Sequence, residues 1–95
     1  NAETLIDRIT ALTDQAEANG KDVSGARAWI TNAEKSLVKL ETDWDRVVAM
    51  WRQVDTHQDA LNVAKKSNGY LKNAYQVVRG MYKDAKNVYR EINAQ

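Results

Sequence analysis

The chain has no cysteine and no proline, one histidine, and four glycines among 95 residues. Without cysteine there is no disulfide and no thiolate metal site, and the redox compartment stays open. Gly20, Gly25, Gly69 and Gly80 are too few breakers for the turns of a β-rich fold. No window approaches the ~18 consecutive apolar residues of a membrane span. One histidine leaves few ways to set a base beside a nucleophile, and none can be picked out. Gly20 and Gly25 lack the spacing and the Lys-Ser/Thr ending of a phosphate loop. Asp55, His57 and Asp59 cannot converge on a metal, because on a helix His57 points about 200° away from Asp55. The sequence therefore marks no enzyme, metal site or cofactor.

What is present is apolar periodicity. Leu5, Ile9, Leu12 and Ala16 recur at three- and four-residue steps. So do Ala26, Ile30, Ala33, Leu37, Leu40, Trp44, Val47, Trp51 and Val54, continuing through Gln58 to Leu61. A third run comprises Leu71, Ala74, Val78, Met81, Ala85, Val88 and Ile92. Such spacing keeps one helix face turned toward a neighbouring helix. The sequence thus predicts a single all-α, coiled-coil-like domain over residues 1–95, an antiparallel three-helix arrangement with a long central helix.

Asn19-Gly20 reads as the end of the first helix, with Gly20 able to take positive φ. Ser24 reads as the N-cap of the second. Ser67-Asn68-Gly69 reads as the second break, so the middle helix spans Ser24 to Lys66, about 63 Å. The third helix then runs from about Tyr70 to Asn93. Thr42 with Asp45, and Thr56 with Asp59, resemble imperfect capping boxes. A break near Thr42 would give the alternative, an up-down-up-down four-helix bundle.

The segment from Ala16 to Ala26, with Ala33 and Leu37 following, resembles the helical hairpins of uncharacterised, often exported, bacterial and archaeal coiled-coil proteins. The resemblance implies a hairpin and an extracytoplasmic setting, and it carries no functional residues. A start at Asn1-Ala2-Glu3 without methionine reads as an excised or processed piece.

Net charge is +1, but it is unevenly spread. Up to Asn62 there are 7 Lys/Arg against 11 Asp/Glu, and from Val63 onward 7 against 2. The expectation is that the basic C-terminal helix packs against acidic residues of the middle one. Lys72, Arg79, Lys83, Lys86 and Arg90 form its outward face. They are the alternative polyanion-binding surface, with nucleic acid the less favoured partner.

Trp44, Val47, Val48, Met50 and Trp51 make the helix apolar all round. A helix of that kind is either buried on every side or used for contact. Tyr75, Tyr82 and Tyr89 recur every seven residues and are expected to widen the packed stripe of the last helix, pointing away from its basic face. Together these eight residues are the candidate interaction surface. The partner would be a second copy or another helical protein, meeting a single layer of helices. A third reading places Trp29, Trp44 and Trp51 around one small-ligand pocket.

Overall fold

The computed structural model describes residues 1–95 as α1 (Ala2–Ala18), α2 (Ser24–Arg52) and α3 (His57–Asn93), with no strand. The three helices form one body measuring 60 × 17 × 17 Å.

The first boundary follows the local chemistry. Gly20 takes φ 77°. Gly20 N–H donates to the Glu17 carbonyl and Lys21 N–H to the Ala16 carbonyl, both at 3.0 Å. These two bonds close the helix end as a Schellman motif. Ser24, however, is not the cap of α2. It is the first helical residue, and its N–H and hydroxyl both donate to the Asp22 carboxylate, at 3.0 and 2.8 Å. The α1–α2 connection is also tied to the far end of α3. Lys21 Nζ reaches the Ile92 carbonyl, and the Gln95 side chain bonds both backbone groups of Asp22.

The second boundary lies elsewhere than expected. α2 stops at Arg52 and α3 begins at His57, so the long Ser24–Lys66 helix does not form, and α3 is the longest element. Thr56 is extended at φ −119°, ψ 163°. Its hydroxyl accepts from Asp59 N–H at 3.1 Å, while Asp59 accepts from Thr56 N–H at 3.3 Å. This reciprocal capping box starts α3 without any glycine. Thr42 is different: its hydroxyl bonds back to the Val38 carbonyl inside continuous α2, so the four-helix alternative does not form either. At Ser67-Asn68-Gly69 α3 is unbroken. Ser67 bonds back to the Val63 carbonyl, and a lone helical glycine costs only about 1 kcal/mol.

The core is confined to one end. Ile6, Ile9 and Ala16 of α1, with Val23 before α2, meet Ala26, Trp29, Ile30 and Ala33 of α2. Met81, Ala85, Val88 and Ile92 of α3 complete the cluster. Thr13 is fully buried, its hydroxyl on the Ile9 carbonyl, and Trp29 donates its indole N–H to the Met81 carbonyl at 3.3 Å. Here α1 packs against both other helices, so this end is a three-helix bundle and not a single layer.

Candidate interaction surface

Arg27 of α2 binds Asp14 at 2.8 Å and Glu17 at 3.5 Å, which fixes the antiparallel register of α1 on α2. The Asp14 bond also raises the Arg27 pKa. Counting back at 1.5 Å per residue puts the start of α1 at about the level of Leu40. On α3, Leu5 and Ile9 lie beside Tyr82, Ala85 and Tyr89, so α1 covers the C-terminal part of that helix. Beyond the level of Leu40, α2 and α3 continue alone as a two-helix hairpin for about 18 Å. In that hairpin Val47 is the one residue buried beyond Leu40.

A helix turns about 100° per residue, so Trp44, Val48 and Trp51 continue the side of α2 that carries Ile30 and Leu37 against α1. By the same count Ala60, Ala64, Leu71 and Tyr75 continue the α3 side that carries Ala85 and Tyr82. The face that α1 covers at one end is therefore bare at the other. Trp44 is 46% exposed, Trp51 43%, Leu71 56% and Tyr75 68%. The opposite side of the hairpin is more polar, with Gln53, Asp59, Asn62 and Lys66 around Met50 and Val54.

The two tryptophans are held in place while exposed. Trp51 Nε1 donates to Ser67 Oγ at 2.9 Å. Trp44 lies against Tyr70 with ring centroids 5.6 Å apart, and the Tyr70 hydroxyl donates to the Leu40 carbonyl at 3.2 Å. Of the expected surface, Trp44, Val48, Trp51 and Tyr75 fall on this bare face. Val47 is buried in the seam, and Met50 is half-buried on the other side. Tyr82 and Tyr89 belong to the α1 end, where with Leu5 and Ile9 they line a shallow groove. The apolar spacing puts Leu71 and Leu61 in the seam, yet both are exposed.

The expected ligand pocket does not assemble. Trp29 lines a groove of about 250 Å³ with Asn32, Gln76 and Asp84. Trp44 lies fifteen residues further along α2, about 22 Å away.

No ion pair joins α3 to α2, contrary to the expectation from the charge split. The pairs are Arg27 with Asp14 and Glu17, and Asp43 with Lys39 and Arg46. Lys72, Arg79, Lys83, Lys86 and Arg90 are exposed and free of carboxylate partners. Nor do the tyrosines point away from them. Tyr75 and Arg79, and Tyr82 and Lys86, are i, i+4 neighbours. Tyr82, Tyr89 and Lys86 line one groove.

No helix is long and apolar enough to cross a membrane. No family model, curated protein or solved structure matches the chain.

Proposed function

We propose that this protein is a helical interaction module that binds a second helical chain through the bare end of its α2/α3 hairpin, the simplest such chain being another copy of itself. One observation carries the reading. Trp44 and Trp51 are nearly half exposed on the very face that α1 fills at the other end of the same two helices. Aromatic residues gathered at the centre of a surface are the usual anchors of an interface, and adjoining large apolar groups left in water are uncommon on a monomer. Light scattering across a concentration series is the test, with a mass that rises toward the dimer as the expected result. Trp51→Ala should remove about 2 kcal/mol of association energy, roughly a 30-fold weaker complex. A monomeric mass at millimolar concentration overturns self-association.

A second reading has its own support in the unpaired cations of α3. Lys72 to Arg90 span about 27 Å of helix surface, with tyrosines along one border. A polyanion tracking this stripe would be held by its phosphates, and its bases would stack on the tyrosines. Fluorescence polarisation with a labelled single-stranded oligonucleotide tests it. Affinity should fall steeply with salt and should be lost when Arg79 and Lys86 become glutamine.

A further inference from the structure

The bare face at the hairpin end leaves Trp44, Trp51, Leu71 and Tyr75 in water. We propose that it is filled by the same end of a second copy, running antiparallel about a two-fold axis beside Val48, so that α2, α3 and their two counterparts form a four-helix bundle. This rests on the association reading above and specifies its geometry.

Sterics select the direction. In a parallel pairing both copies of α1 would claim the same layer, because each already covers this face up to the level of Leu40. In an antiparallel pairing the hairpin tip of one copy runs toward the start of α1 in the other. The overlap is then about 18 Å, the length left uncovered.

Charge selects the register. Glu41, Asp45 and Arg52 lie within about 40° of one another around α2, on the edge of the bare face that is turned away from α3. None of the three has an ion-pair partner within the chain, whereas Asp43, elsewhere on α2, is held by Lys39 and Arg46. An axis beside Val48 brings Arg52 of one copy level with the gap between Glu41 and Asp45 of the other. Symmetry makes that bridge twice, as a two-fold contact requires.

Side-chain size fits the same register. Trp44 of one copy comes over Trp51 of the other, and large Leu71 faces small Ala60 and Ala64 across the axis. The footprint is about 18 Å by the 17 Å width of the molecule, well below the ~800 Å² per partner of a standard interface. A contact of this size belongs with weak, transient interfaces, and its affinity responds sharply to single charges.

The absence of native cysteine makes the test direct. Sedimentation equilibrium measures association, and Val48→Cys under mild oxidation reads the axis. Ala28→Cys, on the outer face of the covered end, is the control. The expected result is a dimer that crosslinks through position 48 and not through position 28. Arg52→Glu alone, and Glu41→Lys with Asp45→Lys, should each weaken the dimer at least tenfold. The three changes combined should restore it. Circular dichroism on each variant confirms that it folds. A chain that stays monomeric overturns the association reading and this geometry with it. A dimer without a crosslink at position 48, or one that the combined charge swap does not rescue, leaves association standing and overturns the antiparallel register.

Discussion

Trp51 donates its indole N–H to the Ser67 hydroxyl at 2.9 Å, and that hydroxyl donates in turn to the Val63 carbonyl at 2.8 Å. Ser67 thus uses one lone pair and its only proton to hold a tryptophan of α2 from the body of α3. The indole is fixed at its polar edge while much of its apolar surface stays in water. A contact side chain held in this way loses little freedom on binding, which favours affinity.

Ser67→Ala should therefore do two things. It should cost about 0.5–1.5 kcal/mol of folding stability in urea melts, the net value of one such hydrogen bond. It should also speed solvent exchange of the Trp51 indole proton in NMR. Unchanged exchange would mean that packing alone orients the ring.

Thr56→Ala removes half of the capping box that begins α3. The expected loss is about 1 kcal/mol. Because Gln53 to Thr56 is also the turn of the hairpin, amide hydrogen exchange should rise first at the tip, in Ala60 to Val63. The core around Met81 should stay protected. Uniform loss of protection along α3 would contradict a local cap.

Much of the α1 end was legible in the sequence, while the hairpin turn was not. Gly20 announces the first break because only glycine takes φ 77° cheaply. The second break is made by side-chain hydrogen bonds in a segment with no glycine or proline, Gln53 to Thr56. Both arms of the hairpin turn their apolar stripes to the same seam. A four-residue turn happens to preserve the heptad phase, so Val47, Val54 and Leu61 read as one helix. Gly69 carried the opposite error, since a glycine in mid-helix looks like a terminator. Trp44 and Trp51 stood out in the sequence as large apolar groups on an all-round apolar stretch. With the turn misplaced, Leu71, Ala60 and Ala64 could not be placed beside them.

Gly69 lies within α3 with nothing inside 4 Å of where a Cβ would stand. Its backbone is helical, so alanine fits without strain and reduces the freedom of the unfolded chain. Gly69→Ala should raise stability by about 0.5–1 kcal/mol. Thermal melts would show a higher Tm, and a lower one would mean that the added methyl disturbs the helix at this position.

The two ends of the molecule should also differ in their tolerance of truncation. Met81 is buried among Trp29, Ile30 and Ala85 in the core cluster, so Met81→Ala should cost about 2–5 kcal/mol. Leu61 is 46% exposed in the single chain, and at concentrations where the protein is monomeric Leu61→Ala should stay within about 0.5 kcal/mol. Comparable losses at both positions would indicate that the hairpin end is covered in solution. A repeat at tenfold lower concentration separates coverage by a second copy from coverage within the chain.

Asp22 gives the fold a pH dependence of known sign. Its carboxylate accepts from Ser24 N–H and the Ser24 hydroxyl, and these bonds lower its pKa below the ordinary 3.8. A carboxylate whose pKa is lower folded than unfolded binds fewer protons in the native state. Its contribution is fully present above the unfolded value and fades as pH falls through the folded one. Wild type should therefore be more stable than Asp22→Ala by a constant margin from neutral pH down to the ordinary carboxylate range. Below that range the margin should narrow. Urea melts of the two proteins at stepped pH would measure it. A margin unchanged down to the most acidic condition would show that Asp22 does not act through its charge. The bonds to Gln95, Asp22 N–H to Gln95 Oε1 at 2.7 Å and Gln95 Nε2 to the Asp22 carbonyl at 2.8 Å, use main-chain groups that alanine keeps, so they are common to both proteins and the margin isolates the carboxylate.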